Sequence, residues 1–311
     1  MEEYITTQHR YYTLDYYLKK RFNSKVFKVA LNGGFTCPNR DGTISYNGCI
    51  FCSKEGSGEF GGKRGDPLSK QFKEVKDIIS LKWKNAKYIV YFQANTNTYA
   101  KTEYLRKLFY EAIGLDRGIV AISIATRPDC LEDDVIDLLS EINERIPVII
   151  ELGLQTANDT TAELINRGYK REVFTDAVKR LREKNIEVVT HIINGLPGES
   201  SKDMLETINY LNSLDIQGIK IHSLFVLKGT VLEQMYNNKE FELLSMEDYI
   251  DITVQQLCLL RSDIVVHRIS GDAPIGELVA PLWSVKKLVV MNEIDKKMKK
   301  DNLYQGMNHK K

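Results

Sequence analysis

The sequence predicts an α/β protein: a partial, open (β/α)6 TIM-like barrel followed by a C-terminal extension. Three observations carry that expectation. Apolar runs of strand length alternate with longer amphipathic segments, six times over. Six units fall short of the eight that close a (β/α) barrel. The polar and glycine-rich residues gather just after the strands, where folds of this class keep their chemistry.

Each element follows from its pattern. KVFKVAL (25–31) is the first expected strand, followed by a cysteine-rich loop and a helix over 67–84. YIVYFQA (88–94) reads as a buried strand, with a helix over 102–115. IVAISIA (119–125) and VIIELGL (148–154) flank a helix that begins after Cys130. Helices over 159–166 and 171–184 lead to the strand VVTHIING (188–195), and a helix over 201–213 leads to GIKIHSLFVL (218–227). Residues 1–240 are expected to form the core with its N-terminal segment. Residues 241–311 form an extension packed on it, with a helix over 245–260, a strand over 265–269 and a basic terminal helix. No linker divides the chain, so one domain with terminal extensions is expected.

With 43 basic and 42 acidic residues the formal charge is +1, so no overall field draws the molecule to nucleic acid or membrane. Lys296, Lys297, Lys299, Lys300, Lys310 and Lys311 make a basic end, read as a solvated tail. No apolar run reaches bilayer length and no secretory signal is seen, so a cytosolic location is expected, without membrane partners. Disulfides are rare there, which turns attention to the five cysteines.

Three of them lie in CPNRDGTISYNGCIFC, at Cys37, Cys49 and Cys52. A structural zinc site normally closes with four Cys or His ligands, and the nearest histidine, His9, is distant in sequence. A redox pair would use Cys49 and Cys52 and leave Cys37 idle. An iron–sulfur cluster on three thiolates would leave one iron open to an exogenous ligand. Cys258 sits in an apolar helical pattern and reads as core; Cys130, just past a strand end, could face the mouth.

Three cysteines after the first strand of such a barrel, ending in Cys49-Ile-Phe51-Cys52, resemble the radical S-adenosylmethionine (SAM) superfamily. Its usual motif separates the first two cysteines by three residues, whereas eleven separate them here. That long gap, with KVALNGGFTCPNRDGT before it and SIATRPDC, ELGLQT, INRG and HIINGLPGES after it, is similar to the YhcC-like branch. The resemblance runs from His9-Arg10-Tyr11 to the Gly271-Asp-Ala-Pro and Trp283-Ser-Val segments.

The resemblance implies a barrel of the radical SAM type, a 4Fe-4S cluster on Cys37, Cys49 and Cys52, and S-adenosyl-L-methionine chelating the open iron. Reductive cleavage of the cofactor then gives a 5′-deoxyadenosyl radical that abstracts hydrogen from a substrate. It places Gln93 and Asn95 by the methionyl amine and Ser123 and Thr126 near the ribose. Glu151 and Gln155 lie on strand four, Arg167 pairs with the methionyl carboxylate, and Asn194 to Leu196 offer backbone to the adenine. An ordinary ion pair between Glu151 and Arg167 is the competing reading. An external electron donor such as flavodoxin or ferredoxin is implied.

The remaining polar groups at the mouth are the candidate substrate ligands: Asn97, Arg127, Asp129, His191, Lys220, His222, Lys228, Arg268 and Asp272. Lys220 and His222 share one face of their strand, and a cationic cluster suits an anion such as a nucleotide phosphate. Members of this branch suggest two reactions. One is release of queuine from queuosine 5′-phosphate (queuine lyase, in queuosine salvage). The other is removal of the carboxymethyl group from a wobble-uridine side chain in tRNA. A cluster-bearing sensor or scaffold is the non-enzymatic alternative. A near-neutral chain favours the mononucleotide over folded tRNA.

Overall fold

The computed structural model describes residues 3–6, 9–53, 56 and 61–310; Lys311 of the basic end lies outside them. Its main sheet has seven parallel strands in the order β1-β2-β3-β4-β5-β6-β8. They are β1 (Val26–Leu31), β2 (Lys87–Phe92), β3 (Ile119–Thr126), β4 (Val148–Gln155), β5 (Glu187–Asn194), β6 (Gly218–Ser223) and β8 (Val265–Arg268). The sheet curls into a half-barrel. Helices α2 (Leu68–Ser80), α3 (Thr102–Ile113), α4 (Asp133–Asn143), α5 (Asp159–Leu164), α6 (Arg171–Glu183) and α7 (Ser201–Asn212) follow the first five strands. The C-terminal part adds α9 (Met246–Leu259) and α10 (Lys287–Lys300), which pack on one another, α9 also packing on α7.

The predicted strand over 218–227 divides. After Ser223 the Leu224 N–H still bonds to the Asn194 carbonyl (2.9 Å), and the chain then leaves the sheet. β7 (Val226–Leu227) pairs antiparallel with β9 (Leu278–Ala280) instead. Two helices were not foreseen. α8 (Val231–Asn237) is short, and α1 (Leu14–Phe22) has only one buried side chain, Leu18, so its pattern is faint.

Side chains of a strand alternate between faces, and here the alternation builds layers. Outward residues such as Val29, Val90, Ile122, Ile150, Val188 and Ile219 are fully buried beneath the helices. Both faces being covered, the strands read as long apolar runs. Inward, Val26, Ile89, Ala121, Ile149 and Val189 form an apolar floor, plugged from below by Leu18 of α1. Two residues further along each strand stand Lys28, Tyr91, Ser123, Glu151, His191 and Lys220. A polar layer therefore lies directly on the apolar one.

α1 also seals the gap between the sheet's edges. It packs against both β1 and β8, and the Val266 N–H bonds to the Tyr12 carbonyl (2.7 Å).

Candidate active site

Above the polar layer the half-barrel opens into a cavity of about 720 Å³. Its lining comes from the ends of the strands, the cysteine loop and residues 268–287. Cys37, Cys49 and Cys52 all line it, and all five cysteines of the chain are free thiols. The Asn39 amide lies 3.7 Å from the Cys49 sulfur and holds the Asn166 carbonyl at 2.6 Å, tying the loop to the segment after α5. The Cys52 thiol beside it, with help from Arg127, Asn39 and Arg167, draws the Cys49 thiol down to about 7 against the effect of burial; Cys52 is pushed up in exchange.

Thiolates are the ligands iron–sulfur clusters take, and the three donors suit a cluster with one open iron. A single metal ion would need its ligands converging on one point. Among the described residues no three Cys, His, Asp or Glu side chains do so.

The backbone is unusual where the cofactor's organic part would lie. Ala94 (φ 72°), Asn95 (φ 60°) and Gln155 (φ 65°) take left-handed conformations without being glycine, and all three line the cavity. Gln155 Oε1 and Thr96 Oγ1 are buried with no hydrogen-bond partner among the described residues. Uncompensated acceptors at a strained strand end fit a ligand that donates hydrogen bonds, as an ammonium or a ribose hydroxyl does.

Glu151 is the hub of the polar layer. Its carboxylate takes both the Lys28 and Lys220 ammoniums, His191 Nε2 at 2.7 Å and the Ser123 hydroxyl at 2.8 Å. Burial works to raise this carboxyl, yet Lys220 and Lys28, then His191, hold it well below the usual carboxylate range. Tyr91 lies beneath both ammoniums, whose nitrogens are 4.9 Å (Lys28) and 4.7 Å (Lys220) from its ring centre. His191 stacks on His222, centroids 5.4 Å apart. Burial lowers both imidazoles, with the Lys220 ammonium bringing His191 to about 4 and its neighbours His191, Arg268 and Lys220 holding His222 well below the usual range.

At the rim, Asp272 bonds to Arg268 at 3.0 Å and to Lys287 at 2.7 Å. Apolar Phe51, Ile193, Phe225 and Leu227 complete the wall.

The cavity gathers Gln93, Asn95, Thr126, Glu151 and Gln155 of the expected cofactor residues, and Arg127, His191, Lys220, His222, Arg268 and Asp272 of the expected substrate residues. Several expectations need correction. Arg167 lines the wall but has no donor left for a carboxylate. Its NH1 group gives to the Leu154 and Thr156 carbonyls (2.6 and 2.7 Å), and its NH2 and Nε to Tyr169 and Asp159. Nor does it pair with Glu151, whose partners are Lys28, Lys220 and His191.

The Asn194 side chain is locked on Gln256 and that of Leu196 is packed with Ile50 and Ile165, which leaves the backbone role expected of them untouched, whereas the Ser123 hydroxyl serves Glu151. Asn97 holds the Ala94 and Ala125 carbonyls, and Asp129 holds Arg127 through two bonds of 2.9 and 2.7 Å. Lys228 bonds to the Gly276 carbonyl outside the cavity. The free cationic cluster is thus dispersed: Lys220 serves Glu151, His222 is neutral, and Arg268 shares a carboxylate.

Lys28, Tyr91, Tyr169 and Lys287 were missed. Lys28 did leave a signal, a lysine inside an apolar strand that is buried on both faces. Tyr169 lies between the Arg127 and Arg167 guanidiniums, 4.8 and 4.6 Å from its ring centre.

Comparison with known proteins agrees with this architecture. Among curated proteins, YtqA of Bacillus subtilis is 50% identical over 303 residues, 97% of this chain and 94% of that protein. YhcC of Escherichia coli is 34% identical over 280 residues, 90% of this chain and 89% of that one. A tRNA uridine(34) acetyltransferase of Methanocaldococcus infernus is 28% identical over 188 residues, covering 59% of this chain and 34% of its own. Among solved structures, archaeal Elp3 from M. infernus superposes with a TM-score of 0.68 at 20% identity, over 91% of this chain and 64% of that one. No described helix is long and apolar enough to cross a membrane. The family model for the Radical_SAM C-terminal domain matches residues 216–300 and that for the Radical SAM superfamily residues 37–211. The cofactors of that family are a 4Fe-4S cluster and S-adenosylmethionine, and this chain belongs to it, in the branch of YhcC and YtqA.

Proposed function

We propose that this radical SAM enzyme acts on a modified nucleoside, removing the carboxymethyl group from the aminomethyl side chain of a wobble uridine in tRNA. The observation that carries this reading is the rim. Two cations, Arg268 and Lys287, share one carboxylate, that of Asp272. Together the three groups leave one net positive charge, which suits a substrate carboxylate better than a doubly charged phosphate. Asp272 itself illustrates a carboxylate seated between those cations. Sequence similarity to an enzyme whose name specifies uridine 34 of tRNA, over more than half of the chain, adds support.

Bound together, the cluster and S-adenosylmethionine supply hydrogen-atom abstraction and, over the cycle, the two oxidising equivalents that convert an N–CH2 group and water into an amine and an aldehyde. The chain's own residues do the rest. Cys37, Cys49 and Cys52 hold the cluster. Gln93, Asn95, Thr126 and Gln155 hold the cofactor's polar groups at the ends of β2, β3 and β4. Phe51, Ile193, Phe225 and Leu227 keep water from the radical. Arg268 and Lys287 orient the substrate's acid end. A one-electron donor such as flavodoxin or ferredoxin reduces the cluster.

Release of queuine from queuosine 5′-phosphate is the second reading, favoured by the net charge of +1. One experiment separates them. Cluster-loaded enzyme is incubated anaerobically with tRNA carrying carboxymethylaminomethyluridine and, separately, with queuosine 5′-phosphate. Loss of the carboxymethyl mass from the tRNA is expected. Free queuine from the mononucleotide, with the tRNA unchanged, would overturn the first reading. Failure of both would leave the sensor or scaffold.

A further inference from the structure

The polar layer contains an imbalance of charge. One carboxylate, Glu151, receives two ammoniums, from Lys28 on β1 and Lys220 on β6. Lys220 is 6% exposed yet lines the cavity, with Tyr91 OH of β2 at 3.3 Å. The other groups facing this cluster are Ser123 of β3, His191 of β5, His222 of β6, and His267 and Arg268 of β8. None besides Glu151 is anionic. A buried site holding two ammoniums against one carboxylate is relieved when one ammonium gives up its proton, because the other still neutralises the acid. Of the two ammoniums Lys220 is the one that lines the cavity, and burial with the Lys28 and Arg268 charges brings it down to about 7 against the pull of Glu151.

Resting on the wobble-uridine reading, we propose that Lys220 is the proton-exchanging group for the nitrogen of the C–N bond that breaks, with Glu151 and Lys28 as its positioning residues. When the hydroxylated N–CH(OH) carbon comes apart, the electron pair of the C–N bond goes to nitrogen. Lys220 Nζ–H breaks as the new N–H forms. The hydroxyl proton then returns to Nζ as the C=O bond closes. No electron is gained or lost in this step, and the lysine ends as it began. A departing purine-like base would take a proton at nitrogen in the same way.

The test compares wild type with Lys220→Arg, which keeps the charge but does not give up its proton near neutrality. Product and 5′-deoxyadenosine are both measured across pH 6–9. Wild type should lose product formation as pH rises through about 7, without a matching loss of 5′-deoxyadenosine. Lys220→Arg should still cleave the cofactor while making product on the order of 10²-fold more slowly or less, the usual range for a lost general acid. Product within about threefold of wild type, with an unchanged pH profile, would overturn the role.

Competitive labelling of amines in the wild-type holoenzyme with acetic anhydride, read by peptide mass spectrometry, supplies a measurement that needs no substrate and no folded variant. A Lys220 midpoint near 7 supports the proposal, and one near the ordinary lysine range overturns it. Absence of turnover on either nucleic-acid substrate would sink the functional reading instead, and the labelling would then decide Lys220 alone.

Discussion

Asn194 and Gln256 exchange two amide hydrogen bonds, each 2.8 Å long, so that the end of β5 is fastened to the last turn of α9. Both side chains are buried and Gln256 also reaches the Met204 carbonyl of α7. The pair joins three elements, and neither side chain lines the cavity. Gln256→Ala should lower stability by about 1–3 kcal/mol, the cost of leaving a buried amide unpaired. Denaturant unfolding would show the loss, while cofactor affinity of the folded protein stays unchanged.

Replacing Cys37, Cys49 or Cys52 singly with Ala should remove the cluster. Iron and sulfide analysis of anaerobically reconstituted protein is expected to give about four of each per wild-type chain and essentially none in these variants. Cys258→Ala should keep the full complement, since that thiol is buried in the helical core.

For Arg167 the outcome expected is structural. Left-handed Gln155 turns the Leu154 and Thr156 carbonyls toward the same guanidinium nitrogen. Arg167→Ala would strand the Thr156 and Tyr169 carbonyls and leave that of Leu154 with only the Thr156 N–H. A loss of roughly 3–5 kcal/mol, as for breaking a buried charged network, should appear as a lower thermal midpoint. Weakened cofactor binding at unchanged stability would contradict it.

Glu199 offers a test by pH. Burial raises its carboxyl from an ordinary 4.5 to about 7, although the Thr156 hydroxyl donates to it. Between those values the folded chain keeps a proton that the unfolded chain has released, so this group's contribution to stability falls as pH rises through that window. Glu199→Gln keeps an acceptor for Thr156 and removes the titration. It should be more stable than wild type above pH 7, by on the order of 1–3 kcal/mol, and equal to it near pH 4. Parallel pH–stability curves for the two proteins would count against the raised carboxyl.

At the rim, Arg268→Ala should raise KM for the substrate about tenfold while changing kcat little, because the contact orients the substrate and does not strengthen at the reacting centre. Steady-state kinetics at fixed ionic strength would read the split. A fall in kcat at constant KM would move Arg268 to the chemistry.

Much of this molecule was legible from local pattern. The strands announced themselves because both faces are buried, and the cysteine site because its donors lie close in sequence. The polar layer was only half visible. Lys220 and His222 were seen to share a face, but Lys28, in the middle of the expected strand over 25–31, has its partner Glu151 more than a hundred residues away, where no local pattern points. Arg268 and Asp272 were both expected at the mouth, but nothing in a linear pattern brings Lys287 to them, since a loop, a strand and a short 3-10 turn intervene. Arg167 was misread because its partners are main-chain carbonyls aimed by one left-handed residue, a geometry that side-chain chemistry does not encode.

The seam between Tyr12 and Val266 bears on the chain's birth. The ribosome makes the cysteine loop long before it makes the strand that α1 must meet. At synthesis rates of about 5–20 residues per second, the interval between residues 52 and 266 is on the order of 10–40 s. For that time the thiols of Cys37, Cys49 and Cys52 belong to a nascent wall that cannot yet shut. Cluster assembly machinery therefore has a window during translation in which to reach them, whereas a chain released without iron has to admit the metal through the mouth that the three thiols line.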